Sequence, residues 1–166
     1  MDPSLPTARL AGTLRHITGR TESEGPDQRD RLGAELDGDL NVTGDAAAAW
    51  LRTVRDEPFA YLTTVGRVTG DPHEIEIWFA AAATTVYFLA GGRDAADWVR
   101  NLRRDPRVSV RIDGRTVAGT ARVIGADDPE DTMARHLVWG RYTSAGRDLV
   151  TWRDTALAVA VDLDGR

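Results

Sequence analysis

The sequence predicts a mainly β (α+β) domain, an antiparallel barrel with helices packed around it. Six short segments are rich in β-forming residues, and short turns separate most of them, so that consecutive strands become antiparallel neighbours. Only about three longer segments carry helical patterning, which is too few for a wound parallel sheet. The 166 residues suit one domain with a proper core.

Composition narrows the classes of function. Hydrophobic residues make up 42% and charged residues 28%, as in ordinary globular proteins. No apolar run approaches the roughly 20 residues that span a bilayer, and the N-terminus has no apolar signal-peptide core, so we expect a cytoplasmic protein without a membrane span. The absence of cysteine removes disulfides, thiolate zinc sites and cysteine nucleophiles. A net charge of −5 argues against a nucleic-acid partner.

The first 43 residues differ in composition from the rest. They are rich in Gly, Pro, Asp, Glu, Ser and Thr, which predicts a flexible N-terminal extension over residues 1–43 and a folded domain over residues 44–166. Apolar residues at helical spacing allow one short helix over Ala8–Ile17. The alternative interpretation of the extension is a lid that closes over a ligand or a partner subunit.

The folded domain is predicted to begin with a helix and three strands. Asp45 is the expected N-cap of a helix over Ala46–Asp56, and Pro58 ends that helix. A dense turn signal with two glycines and a proline separates the first two strands. Alternation and β-forming residues place the three strands at Phe59–Val65, His73–Ala81 and Thr85–Ala90.

The second half of the domain is predicted to contain a hairpin between helices. Asp94 is the expected cap of a helix over Ala95–Arg104, and Asp128 is the expected cap of a helix that runs to about Arg141. The dipeptide Asp-Gly at 113–114 is a strong hairpin signal. The remaining segments are strands at Val108–Ile112, Thr116–Ile124 and Ala156–Leu163 and a short helix at Arg147–Arg153.

The first segment suited to chemistry is TTVGRVTG, residues 63–70, in which a strand runs into a turn bounded by glycines. Glycines let backbone amides approach an anion, Thr69 adds a hydroxyl and Arg67 adds a permanent charge. The lysine and the following helix of a Walker loop are missing. An ordinary hairpin turn explains the same residues.

The second such segment is GGRDAADWVRNL, residues 91–102. A glycine pair before a helix offers N–H groups and the positive end of the helix dipole to an anion. Trp98 belongs to the apolar face of that helix, and packing alone explains it. Asn101 lies on nearly the same face, where a polar amide is less easily explained by packing.

All 21 cationic residues are arginine, and six of them fall within twenty positions in and just after the second segment. Guanidinium groups bind phosphate and carboxylate oxygens well, which favours an anionic small ligand. Arginines near the end of a helix also suit its negative dipole end, a structural use that needs no ligand. The clustered residues are Arg93, Arg100, Arg103, Arg104, Arg107 and Arg111.

Together these motifs resemble the deazaflavin-dependent nitroreductase family. Their order is TTVGRVTG, HEIEIWF, GGRDAADWVRNLRRDPRVSVRI and a DG hairpin into GTARVI, and the resemblance spans about Pro58–Leu163. Members of that family are split β-barrel proteins related to pyridoxamine-phosphate-oxidase-like flavin-binding proteins. The resemblance therefore implies an antiparallel split β-barrel with flanking helices, a homodimer, and coenzyme F420, a deazaflavin with a phosphate and an oligoglutamate tail.

The resemblance also implies cofactor-binding residues in both segments. The turn grips the cofactor phosphate in that family, which here involves Arg67, Val68, Thr69 and Gly70. The glycine turn and the W-x-x-N-L helix line the cofactor site, which here involves Gly91, Gly92, Arg93, Trp98 and Asn101. The sequence departs from the family at positions 73 and 74, where many relatives carry arginine, and its turn has no lysine. FMN therefore stays open as the alternative cofactor.

The implied reaction is hydride transfer between the cofactor and a small organic substrate of the enone, quinone or nitro type. Three side chains are candidate catalytic proton donors. Tyr142 occupies a position where such proteins often place a tyrosine near the substrate, and a helix-end tyrosine with its hydroxyl in water fits equally well. Glu76 faces either the solvent or the cavity. His73 is either a residue at the exit of the turn or a donor.

Two other functions stay open on the sequence alone. One is an FMN-dependent oxidoreductase on the same barrel, and the other is a non-redox protein or isomerase that binds a cofactor or another small molecule. The histidines, at positions 16, 73 and 136, have no ligand-like spacing, so no metal site is predicted. No serine lies in a G-x-S-x-G context, so no hydrolase triad is predicted.

Overall fold

The computed structural model describes residues 39–143 and 149–165, with side chains from residue 44 onward. Apart from the first residues of α1, the predicted extension over residues 1–43 lies outside the described residues, and so does the helix predicted at Ala8–Ile17. The helices are α1 (Asp39–Val54), α2 (Asp97–Arg104), α3 (Pro129–Tyr142) and α4 (Val150–Thr155), with a 3₁₀ turn at Arg93–Ala95. The strands are β1 (Ala60–Val65), β2 (Pro72–Ile77), β3 (Ala80–Ala82), β4 (Thr85–Ala90), β5 (Arg107–Ile112), β6 (Arg115–Val123) and β7 (Leu157–Leu163).

The seven strands form one sheet in the order β2-β1-β5-β6-β7-β4-β3, and every neighbouring pair is antiparallel. Short turns connect β1 to β2, β3 to β4 and β5 to β6, and a short turn allows only an antiparallel pair. The segment that contains α2 carries the chain from β4 back to the far side of β1. The sheet curls into a half-barrel, so the predicted mainly β, antiparallel fold with flanking helices is confirmed.

The sheet separates two hydrophobic clusters. The larger cluster lies against α1 and α2, and Leu62, Phe88 and Val110 are among its fully buried residues. The smaller cluster joins β4 and β7 to α3, where Ala134 and Val138 are fully buried. Strands β4 and β7 are covered on both faces, which explains why their sequences are continuously apolar rather than alternating.

The segment predicted as one strand at His73–Ala81 is two strands, because the backbone leaves the ladder at Trp78 and Phe79. The Phe79 N–H donates to the Tyr142 hydroxyl at 3.2 Å, and the Arg141 guanidinium donates to the Phe79 carbonyl at 2.6 Å. Side chains at the end of α3 therefore take over backbone groups that a continuous strand would pair. Local patterning could not predict this break, since its partners lie more than 60 positions away.

Of the three predicted helix caps, one is confirmed and two are wrong. Helix α1 begins at residue 39, so Asp45 lies inside it and the predicted cap there is wrong. The cap predicted at Asp94 is also wrong, because that carboxylate pairs with Arg103 at 2.5 Å and no side chain among the described residues caps the start of α2. Asp128 caps α3 as predicted, since its carboxylate accepts the backbone N–H of Glu130 at 2.9 Å.

The C-terminal elements follow the prediction with one shift. Helix α4 covers Val150–Thr155, and the first residues of the helix predicted at Arg147–Arg153 lie outside the described part of the chain. Strand β7 begins one residue later than the segment predicted at Ala156–Leu163. Among the residues that the structure describes, no helix is long and apolar enough to cross a membrane.

Candidate functional site

The turn between β1 and β2 is tight and exposed. The Gly66 N–H donates to the Asp71 carbonyl, and the Gly70 N–H donates to the Gly66 carbonyl, both at 2.8 Å. Gly70 has a φ of +79°, a left-handed conformation that disfavours other residues. The backbone N–H groups of Val68 and Thr69 have no hydrogen bond within the described residues. These two N–H groups are therefore open to an incoming anion.

Helix α2 lies directly beneath this turn and is bonded to it. The Asn101 carboxamide oxygen accepts the Arg67 backbone N–H at 3.2 Å and its guanidinium at 3.0 Å. The Asn101 amide donates to the Thr64 hydroxyl at 3.1 Å, and both side chains are buried. Asp97, the first residue of α2, accepts the other arm of the Arg67 guanidinium at 2.9 Å. The structure thus brings together the two segments that the sequence singled out.

A groove of about 510 Å³ opens beside the turn. One wall consists of residues 65–70, and the other consists of Arg104, Asp105 and Arg107 at the end of α2 and the start of β5. Arg107 donates two side-chain hydrogen bonds and one backbone hydrogen bond to Asp105, and these hold the pKa of the carboxyl down at about 2. The Arg104 side chain has no hydrogen bond or ion pair within the described residues. The groove is therefore cationic, and the Arg104 guanidinium is available to donate hydrogen bonds to phosphate or carboxylate oxygens.

The sequence predicts only in part the role of the groove-lining arginines outside the turn. Arg104 and Arg107 belong to the arginine cluster that favours an anionic ligand, but the sequence motifs do not mark either of them as a cofactor-binding residue. The signal was the position of Arg104 in the last turn of α2, on the helix that also carries Asn101. Only the packing of α2 beneath β1 shows that these arginines face the same groove as Arg67.

The other predicted cofactor-binding residues lie elsewhere or below the surface. Trp98 is 6% exposed and packs in the larger hydrophobic cluster, so it supports the turn from beneath. Gly91 borders the indole of Trp152, because a side chain at Gly91 would start 3.3 Å from the indole nitrogen. Gly92 faces α2, and Arg93 is exposed with a φ of +49°. None of these residues lines the groove beside Arg67.

Tyr142 belongs to an aromatic cluster near Gly91. Its ring stacks on Trp78 with centroids 4.4 Å apart, and Trp152 meets Trp78 edge-on at 5.7 Å. The Tyr142 hydroxyl donates to the Pro58 carbonyl at 3.0 Å and accepts the Phe79 N–H. Burial raises the pKa of Tyr142 above its ordinary value. Its hydroxyl is therefore committed to the backbone rather than free in water.

Glu76 and His73 lie on opposite faces of β2. The Glu76 carboxylate is exposed and accepts the Tyr61 hydroxyl at 2.8 Å, which raises the pKa of Tyr61. His73 is exposed and packs its ring against Gly66, where an added Cβ would lie only 2.6 Å from the ring. Gly66 also lines the groove, so His73 lies beside the anion-facing turn while Glu76 lies on the outer face of the sheet.

The curled sheet and the cationic groove define the class of protein, a split β-barrel with a surface site suited to an anionic ligand. Residues 42–164 match the family model described as F420H(2)-dependent quinone reductase. The chain belongs to this F420H2-dependent quinone reductase family. The family predicted from the motifs, a deazaflavin-dependent family on a split β-barrel, is confirmed. Membership supports an F420-dependent oxidoreductase as the general class of activity and F420 as its cofactor.

Solved structures with the same fold have low sequence identity to this chain. An F420-H2 dependent reductase (FDR-A) is 19% identical with a TM-score of 0.52, over 63% of this chain and 93% of that one. The heme storage protein HutZ from Vibrio cholerae is 14% identical with a TM-score of 0.57, over 70% and 89%. An FAD-binding protein from Mesorhizobium loti is 17% identical with a TM-score of 0.53, over 70% and 87%. These similarities show the fold alone.

Proposed function

We propose that the protein is a reductase that passes a hydride from reduced F420 to a small organic acceptor. A quinone is the first candidate, and enones and nitro compounds follow. One observation carries the proposal: a cationic groove lies where the Arg67 turn is bonded to α2 through Asn101. The family supplies the class of cofactor, and the groove supplies a place where its anionic part can bind.

The proposed task of each groove residue follows from its position. Arg67 and the open N–H groups of Val68 and Thr69 hold the phosphate through charge-assisted hydrogen bonds. Arg104 and Arg107 lie farther along the groove, where they meet the carboxylates of the tail. When bound, F420 supplies the hydride from its deazaflavin ring.

The ring end of the cofactor is proposed to lie near the aromatic cluster. Gly91 borders this cluster, and Gly92 and Arg93 follow it in the chain, so these three residues remain proposed contacts of the ring. Flat indole and phenol faces suit a planar ring and a planar acceptor, and burial between them would exclude water. Trp98 and Asn101 act from below, by fixing the turn and the start of the helix.

The proton that accompanies the hydride has three candidate sources. Tyr142 would have to give up its bond to the Pro58 carbonyl, and Glu76 already accepts the Tyr61 hydroxyl. His73 has no side-chain hydrogen bond within the described residues, but its ring packs against Gly66 in the turn proposed to hold the phosphate and is not part of the aromatic cluster proposed for the ring. We therefore favour Tyr142 as the proton donor, because it stacks on Trp78 in the cluster proposed for the ring, and a donor must lie within hydrogen-bond reach of the reacting atoms.

A homodimer and a separate N-terminal extension complete the proposal. The outer face of β1, β2 and β5 carries Tyr61, Thr63, Glu74 and Arg111, which are half-buried or exposed. Glu74 accepts the Arg111 guanidinium at 2.7 Å, so this polar face holds both signs of charge and could meet a second copy of itself. The part of residues 1–43 that precedes α1 is proposed to be an extension of the domain rather than part of its core.

Titration of the purified protein with F420 and with FMN tests the cofactor, and oxidation of reduced F420 across quinones, enones and nitroarenes tests the reaction. Arg67→Ala should weaken F420 binding by about 1–3 kcal/mol, because a charge-assisted contact is lost. Arg52→Ala, which removes an exposed charge on α1, is the matched control. Tighter binding of FMN than of F420 would favour the FMN alternative, and binding without oxidation would favour a non-redox protein.

A further inference from the structure

The Arg67 guanidinium is held by two acceptors of different character. One arm donates to the Asn101 carboxamide oxygen at 3.0 Å, and the other donates to the Asp97 carboxylate at 2.9 Å. The Arg67 side chain is 32% exposed and lies at the groove that the proposed function assigns to an anion. Any anion that binds there must share this guanidinium with Asp97 and Asn101.

The contact with Asn101 is built into the core. Asn101 is 4% exposed, and within the described residues its side chain makes three hydrogen bonds, two to Arg67 and one to the Thr64 hydroxyl. All its bonding capacity toward the turn is used within the protein, and breaking one bond would leave a buried polar group without a partner. Asn101 is therefore a fixed anchor of Arg67.

The contact between Arg67 and Asp97, in contrast, lies at the surface. The Asp97 side chain is 78% exposed, and its one hydrogen bond within the described residues goes to Arg67. Exposed ion pairs are weak because water and salt screen both charges. An ionised carboxylate that leaves such a pair is solvated at once, so this contact exchanges easily.

We propose that Asp97 is an exchangeable internal counter-ion of the cofactor site, and that Asn101 is the fixed residue that positions Arg67 for the incoming anion. The inference rests on the proposed function and adds a specificity-determining residue to it. A ligand phosphate takes the guanidinium arm that Asp97 releases, while the arm bonded to Asn101 stays in place. Ligands without an anionic group cannot make this exchange and gain nothing from Arg67.

The two residues consequently have opposite effects on anion binding. Asp97→Asn keeps the size of the side chain but removes the competing charge, so it should tighten binding of a phosphate-bearing ligand about two- to five-fold at low salt. The gain should shrink as salt screens the charges. Asn101→Leu should weaken the same binding, because Arg67 loses its fixed acceptor. A purely structural role for Asp97 would predict unchanged or weaker binding.

Asp94→Asn is the matched control. Asp94 lies three residues before Asp97, and its carboxylate pairs with Arg103 rather than with Arg67. This variant removes the same charge from the same part of the molecule without touching the guanidinium at the groove. Any effect that it shares with Asp97→Asn is a long-range effect of net charge.

The experiment is a set of equilibrium titrations of wild type, Asp97→Asn, Asp94→Asn and Asn101→Leu, with thermal melts to confirm folding. The probes are F420, the same deazaflavin ring and ribityl chain without the phosphate, and inorganic pyrophosphate. The inference expects Asp97→Asn to tighten F420 and pyrophosphate relative to Asp94→Asn, with the phosphate-free deazaflavin unchanged. Equal or weaker pyrophosphate binding by Asp97→Asn than by Asp94→Asn overturns it. Absence of F420 binding by wild type would instead refute the proposed function, while pyrophosphate still decides the role of Asp97.

Discussion

The bond between the turn and α2 can be tested through the stability of the fold. The perturbation is Asn101→Leu, which replaces a buried carboxamide with an apolar side chain of nearly the same shape. It removes the acceptor of the Arg67 backbone N–H and the donor to the Thr64 hydroxyl. Asn101 and Thr64 are 4% and 1% exposed, so water cannot replace the lost partner of the hydroxyl.

The expected loss of stability follows from these contacts. Leaving the buried Thr64 hydroxyl without its donor costs about 2 kcal/mol, and the lost bond to the Arg67 N–H costs about 1 kcal/mol. The guanidinium reaches water and contributes little. Apolar burial of the leucine offsets about 1 kcal/mol. The net loss is about 2 kcal/mol, or roughly 6–10 °C in melting temperature for a domain of this size.

Chemical and thermal unfolding, followed by circular dichroism, measure the change, and a second substitution isolates its cause. Thr64→Val removes the hydroxyl that Asn101→Leu leaves unpaired, so the double variant should regain about 2 kcal/mol over the single one. Thr64→Val alone should cost about 1 kcal/mol, because it leaves the Asn101 amide without its acceptor. An Asn101→Leu variant as stable as wild type, or a double variant no more stable than Asn101→Leu, would refute this reasoning.

Three further predictions address the polar network, the proton donor and the extension. Arg122 donates hydrogen bonds to Glu130 and Asp162, and these bonds lower the pKa of both carboxyls. The contribution of these bonds to stability is therefore present above the ordinary pKa values of 4.5 and 3.8. It is lost as the pH falls through the lowered pKa values of the folded state. Arg122→Met should therefore cost about 1 kcal/mol at pH 7 and progressively less below pH 4.5, as urea unfolding at several pH values would show; a cost independent of pH would contradict this. Tyr142→Phe, with a thermal melt to confirm folding, should lower kcat with a quinone about ten-fold or more with little change in F420 binding, whereas the exposed His136→Gln should change neither; an unchanged kcat would exclude Tyr142 as the donor. Removal of residues 1–38 should leave the melting temperature unchanged, and a change in turnover alone would support a lid; a large loss of stability would show that the segment belongs to the core.

The sequence determined the features that depend on neighbouring residues. The Asp-Gly hairpin formed as predicted, with φ values of +47° at Asp113 and +74° at Gly114. The cap at Asp128 formed because its partner lies two residues away. The glycine-bounded turn of β1 and β2 also formed where its composition placed it. Periodicity within each strand then sufficed to predict a mainly β fold.

Tertiary structure decided what depends on strand order and on packing across the sheet. Arg67 and Asn101 are 34 positions apart, and they meet only because α2 carries the chain beneath β1 before β5 pairs with it. The same packing brings Arg104 to the groove and leaves Gly91 against Trp152 instead. Local propensity contains no information on such pairs, because a hydrogen bond between distant residues is fixed by the relative placement of whole elements. The composition thus indicated an anionic ligand, while the fold determined which arginines can reach it.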